Sequence, residues 1–192
     1  MSIAVVGWGS LISFPGELGL QSLWHRDGPL LPIEFARISG GDRVTLVIHP
    51  SARIQQTLWA LASAGDMNQV RDNLREREGT PLRLIHTASF DGCFSDGVAD
   101  CERESLSTWL RQHPYLSGCV WTGLTSNWER ERNCNYSPAD VVRYLRGLDD
   151  PSRAREYVQN TPSQIATEAR AAIRDELGWQ DADLPDKLFE SV

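Results

Sequence analysis

The stretch IAVVGWGSLIS, residues Ile3–Ser13, decides how the rest of the chain is read. An apolar run, Ile3 to Val6, meets Gly7 and Gly9 on either side of Trp8. Ser10 follows, and then Leu11 and Ile12 return to apolar character. The run reads as a first strand, Ile3–Gly7, and the glycines as a turn. Without Cβ atoms at Gly7 and Gly9, backbone N–H groups can approach and converge on an anionic ligand. Two nucleotide-binding versions of such a turn fail here. A dinucleotide fingerprint needs a third glycine and a long helix behind it. This stretch lacks the glycine, and Phe14, Pro15 and Gly16 forbid the helix. A P-loop needs a lysine and a serine or threonine after its last glycine, and neither pair occurs here.

Outward from the turn, the first part of the chain reads as strands. Pro32–Arg37 alternates apolar and polar residues, and Arg43–His49 is rich in β-branched residues. Gly40-Gly41-Asp42 between them is a hairpin signal. Gln56–Leu61 is a fourth strand candidate. The period then changes. Asp66 followed by Gln69 marks a helix start, and Met67, Val70 and Leu74 share one helical face. The spacing predicts a helix over Met67–Arg77, ended by Gly79 and Pro81. Leu82–Phe90 and Gly118–Leu124 read as further strands, with a short helix marked by Leu106, Trp109 and Leu110 between them. From about residue 137 the chain reads as helical. Ser137-Pro138 and Thr161-Pro162 each pair a capping side chain with a proline at the first helical position. Strict strand–helix alternation is missing. The expected architecture is α+β, a small mixed β-barrel or strongly curved mixed sheet with helices packed outside, in one domain over residues 1–192.

Bulk properties narrow the function. The 192 residues carry 19 Lys+Arg against 26 Asp+Glu, a formal charge of -7, which argues against nucleic acid or an anionic membrane as partner. No apolar run approaches the roughly 20 residues of a membrane span, and the first residues lack the pattern of a secretion signal, so the expected location is cytoplasmic. Cys93, Cys101, Cys119 and Cys134 include no CxxC pair, and His25, His49, His86 and His113 are scattered. No metal site is expected from such spacing. His49 and Glu34, at a strand end and inside a strand, read as solvent-face residues. Asn127-Trp128, with Trp121 nearby, reads as core or pocket wall rather than as a base-stacking platform.

Three segments resemble the gamma-glutamylcyclotransferase-like superfamily, which includes the ChaC-type enzymes and the gamma-glutamylamine cyclotransferases. Gly7-Trp8-Gly9-Ser10-Leu11 stands where that family has a glycine-tyrosine-glycine-serine motif after the first strand. Leu74-Arg75-Glu76-Arg77-Glu78 is similar to its LxxRE helix end, whose glutamate is catalytic. Arg37-Ile38-Ser39, followed by Arg43-Val44-Thr45-Leu46, is similar to its RxS and next strand. The matches keep the family's order and span roughly residues 3 to 90. Departures are visible: Trp8 replaces a tyrosine, Thr80-Pro81-Leu82 replaces the tyrosine after the catalytic segment, and Gly40-Gly41-Asp42 replaces a histidine-arginine-glycine stretch.

The resemblance implies an enzyme without cofactor that releases 5-oxoproline from a γ-glutamyl amine, amide or peptide. Glu78 is the implied general acid/base, and Gly7, Trp8, Gly9, Ser10, Leu11, Arg37 and Ser39 are the implied substrate-binding residues. In such chemistry the substrate's own α-amine attacks its γ-carbonyl. The protein must therefore fold the substrate, relay one proton and hold a carboxylate and an oxyanion. From helix periodicity alone Glu78 is simply the end of a charged run, and Glu76 is its rival within the same turn. The alternative is a non-catalytic small-molecule-binding or regulatory protein that keeps the fold and pocket.

Overall fold

The computed structural model of the protein describes residues 2–190. In chain order the elements are β1 (Ser2–Gly7), α1 (Ser10–Ser13), β2 (Leu30–Ser39), β3 (Arg43–Ile48), β4 (Ile54–Gln56), β5 (Leu58–Leu61) and α2 (Met67–Glu78). They continue with β6 (Ile85–Ser89), α3 (Asp100–Gln112), β7 (Leu116–Thr122), α4 (Trp128–Arg132), α5 (Pro138–Arg146), α6 (Ser152–Gln159) and α7 (Glu168–Leu177). The class is α+β.

Two sheets organise the chain. One has the order β5-β1-β7-β6, with β1 parallel to β7 and antiparallel to β5. Buried among its neighbours, β1 reads as a continuous apolar run because both its faces are covered. The other sheet has the order β3-β2-β4. The ten residues of β2 serve both partners: its first residues pair with β4, and the rest pair with β3 up to the Gly40–Asp42 turn. Gly41 (φ 74°) and Asp42 (φ 59°) take the left-handed conformations that a tight hairpin requires. The two ladders do not close into a barrel among the described residues.

Three local expectations are corrected. The strand expected over Gln56–Leu61 is two strands, β4 and β5, divided at Thr57. There the backbone exchanges hydrogen bonds with Gly28 and Pro29, and the Thr57 hydroxyl donates to the Pro29 carbonyl at 2.6 Å. The strand expected over Leu82–Phe90 opens with a 3-10 turn, Leu82–Leu84, and only Ile85–Ser89 pairs. The helix expected after Thr161-Pro162 does not start there. The Thr161 and Pro162 carbonyls accept from the Arg170 guanidinium at 2.6 Å each. The helix begins at Glu168 instead, where the Thr167 hydroxyl accepts from the Arg170 amide.

Helix α2 shows how residue choice sets the site. The Asp66 carboxylate accepts from the Gln69 amide at 3.0 Å and caps its start. Val70 and Leu74 are buried against the first sheet, each stabilising by about 1.5–3 kcal/mol. Gly79, at φ 59°, donates to the Arg75 and Glu76 carbonyls and stops the helix. Glu78 is thereby the last helical residue. Around the sheets, α3, α4 and α7 pack on β2, α6 packs on β3, and α5 packs on α7. No helix among the described residues is long and apolar enough to cross a membrane.

Candidate active site

A cavity of about 940 Å3 opens where β1, β2, β3 and the end of α2 converge, large enough for a small molecule. Its wall includes every residue that the resemblance implied for the site: Gly7, Trp8, Gly9, Ser10, Leu11, Arg37, Ser39 and Glu78. The turn after β1 continues into α1, only four residues long, as Phe14-Pro15-Gly16 demands. Trp8 is nearly buried, and its indole N–H donates to the Leu46 carbonyl at 3.4 Å, which ties the turn to β3.

Glu78 and Glu76, rivals within the same turn, separate cleanly. The Glu76 side chain is 71% exposed and pairs with Arg75 at the cavity rim. The Glu78 side chain is 17% exposed and faces inward. Arg77 joins Glu78 to the glycine turn. Its Nη1 donates to Glu78 at 2.5 Å and its Nη2 to the Ser10 hydroxyl at 3.3 Å. Its Nε and Nη2 also donate to the Phe14 carbonyl, at 3.2 and 2.7 Å. One guanidinium therefore spans the end of α2 and both ends of α1. Sequence reasoning passed over Arg77 as part of a charged run, although it stands inside the LxxRE match.

Tyr157, from α6, is the second residue missed. It lines the cavity beside the turn, and its hydroxyl accepts from the Leu46 amide at 3.3 Å. Burial pushes the phenol up to about 12, with the nearby Glu78 adding to the shift, so the group is a neutral hydroxyl at physiological pH. A Cβ on Gly9 would lie 2.7 Å from that hydroxyl oxygen. The second glycine of the turn is therefore required for the tyrosine to approach. The signal for α6 was present: Ala154, Tyr157, Val158 and Thr161 recur at helical spacing behind Pro151. Only contact with β3 gives Tyr157 a place in the site.

Arg37, from β2, also lines the cavity, and its Nη1 donates to the Thr125 carbonyl at 2.8 Å. Burial and the neighbouring Arg130 hold Arg37 below the ordinary arginine value, though it remains a cation at any physiological pH. The Ser39 hydroxyl donates to the Arg43 carbonyl at 3.5 Å. Arg43 also lines the cavity, and its Nε donates to the Gly40 carbonyl at 3.1 Å.

Other flagged residues lie elsewhere. Glu34, expected at the solvent face, is 2% exposed. Its carboxylate accepts from the Phe35 amide at 2.7 Å and from the Glu168 and Ala169 amides at 3.1 and 3.4 Å, so it tethers the start of α7 to β2. His49, also expected at the solvent face, is half-buried and exchanges a hydrogen bond with Ser51. Trp121 and Trp128 are core residues, and the Cys134 thiol is exposed. Among the described residues, no three His, Cys, Asp or Glu side chains group as metal ligands would. Comparison of the chain with models of known protein families gives no match, and comparison with curated proteins gives none either.

Proposed function

We propose that the chain is a gamma-glutamylcyclotransferase-like enzyme, with the strongly curved mixed sheet of that superfamily, which releases 5-oxoproline from a γ-glutamyl compound. One observation carries the reading: a largely buried carboxylate at a helix end and a glycine-flanked turn border the same cavity and share one guanidinium. The glutamyl α-carboxylate lies against Arg37 and Ser39, and Trp8 and Leu11 form the apolar wall. Glu78 takes a proton from the substrate ammonium. The freed amine nitrogen attacks the γ-carbonyl carbon of the same molecule. A new N–C bond closes the five-membered ring, and the oxyanion is met by donors at the Gly7–Ser10 turn. As the bond to the leaving nitrogen breaks, Glu78 gives its proton to that nitrogen and takes the second proton from the ring nitrogen, which leaves a neutral lactam and a free amine. Ring closure needs no second reactant, so the cavity has only to hold the glutamyl chain in its ring-closing conformer. Tyr157 and Ser10 provide the hydroxyls that the tryptophan at position 8 does not.

The test is direct. The protein and its Glu78→Gln variant are incubated with γ-glutamyl amino acids, dipeptides and amines, and 5-oxoproline is measured. Wild-type release, reduced by about 10³-fold or more in the variant, is expected from the loss of a general acid/base. Equal release by both proteins refutes the assignment of Glu78. Binding without release in the wild type replaces the enzyme by a binding protein.

A further inference from the structure

A second hollow of about 340 Å3 adjoins the main cavity. Ser10, Phe14, Arg43 and Tyr157 border both, so they form a waist between two lobes of one site. Beyond the waist, the smaller lobe is walled by Arg153, Glu156 and Asn160 of α6 and its end, and by Gly40 of the hairpin. Arg153 and Tyr157 are four residues apart and share a helix face. Gly41 makes room for the arginine: a Cβ there would lie 3.1 Å from the Arg153 Nη1.

Charge gives this lobe its chemistry. Among the described residues, Arg37, Arg43 and Arg153 have no carboxylate within 4.0 Å, whereas Arg77 is paired with Glu78. The acids that border the lobes without an ion-pair partner are Glu17 and Glu156, both exposed, as is Arg153. Over both lobes four arginines meet four glutamates, and the positive excess is confined to the smaller lobe, where Arg43 and Arg153 stand against Glu156. The smaller lobe therefore suits a negative charge on the part of the ligand that occupies it. A γ-glutamyl amine, with one α-carboxylate and one α-ammonium, is neutral. A γ-glutamyl amino acid or peptide has a second carboxylate, on its leaving group.

We propose that the smaller lobe is the leaving-group subsite, and that Arg43 and Arg153 there select substrates whose leaving amine carries a carboxylate. The selection rests on the cyclotransfer reading above. The glutamyl head stays in the main lobe against Arg37, the scissile amide lies at the waist beside Tyr157 and Ser10, and the leaving-group carboxylate reaches the two arginines. Guanidinium suits this role because its planar donors match a carboxylate bidentately.

The test uses γ-glutamyl-alanine and γ-glutamyl-ethylamide, which differ only in the leaving-group carboxylate. Wild-type kcat/KM for 5-oxoproline release is expected to favour the alanine compound by about tenfold or more. Arg153→Gln and Arg43→Gln are each expected to shrink that ratio, and Arg153→Lys to restore part of it. A ratio near one in the wild type, or one that both glutamine variants leave unchanged, overturns the proposal. Binding of the same two compounds to Glu78→Gln separates this from the reaction itself. If neither compound yields 5-oxoproline but the alanine compound still binds about tenfold more tightly, and Arg153→Gln in that background removes the difference, the subsite stands and the chemistry falls. Equal binding, or none, removes the subsite whatever the turnover.

Discussion

Replacing Gly9 by alanine tests the geometry of the site without touching its charges. The added Cβ would lie 2.7 Å from the Tyr157 hydroxyl oxygen, where ordinary contact begins at 3.4 Å. The oxygen cannot simply withdraw, because it accepts from the Leu46 amide and its ring packs edge-on against Phe35. Overpacking of this kind costs about 1–3 kcal/mol. The next neighbours of that Cβ, Leu46 Cδ1 and Tyr157 Cζ, are both at 3.6 Å and need no adjustment. The cost therefore belongs to a single oxygen atom. In a Tyr157→Phe background that atom is gone, and Gly9→Ala should cost only a few tenths of a kcal/mol, about the limit of additivity for independent sites. Tyr157→Phe alone should cost about 0.5–1.5 kcal/mol for its hydrogen bond. The four proteins form a double-mutant cycle read by urea denaturation, with equal m-values as the check that the unfolded state is unchanged. A coupling of about 1–2 kcal/mol is expected. The same Gly9→Ala cost in both backgrounds would show that the hydroxyl does not occupy the space over the turn.

Further outcomes follow from the same contacts. Arg77→Met keeps the aliphatic stem but removes the donors to Phe14, Ser10 and Glu78. It should destabilise by about 2–4 kcal/mol in urea melts, with Arg77→Lys recovering only part because an ammonium lacks the planar fork. Wild-type stability for Arg77→Met would mean that the guanidinium does not tie α2 to α1. Burial raises Glu34 above its ordinary value of 4.5, against the opposing pull of its hydrogen bonds. The folded protein thus binds that proton more tightly than the unfolded chain. The contribution of this group is greatest below 4.5 and declines as pH rises through its folded value. Urea midpoints followed from pH 4 to 8 should fall more steeply in wild type than in Glu34→Gln. Parallel curves would place the titration elsewhere. The Gln variant should also be less stable throughout, since an amide nitrogen then faces the N–H groups at the start of α7.

Much of the site was legible because its determinants are local. Phe14-Pro15-Gly16 limits α1 to four residues, whatever lies nearby. Asp66 and Gly79 bracket α2 and so make Glu78 its final residue. Gly41 and Asp42 adopt their hairpin conformations for reasons that two residues contain. Where the reading went astray, a distant group had claimed the local one. Thr161-Pro162 has the residues of a helix start, but Arg170 takes the carbonyls. Glu34 looks like the polar side of an alternating strand, but the first amides of α7 draw it into the interior.

The amino-acid sequence by itself determined where β1 stops, where α2 stops, and which side chains stand at those two ends. Conformation at such points depends on the presence or absence of a Cβ and on a capping side chain within a few residues. Tertiary structure alone decided that the two ends face one cavity, that Glu78 is largely buried there while Glu76 is exposed at the rim, and that Tyr157 arrives from a helix nearly 80 residues further along. Those outcomes depend on how the helices pack against two sheets, which no short window of residues contains.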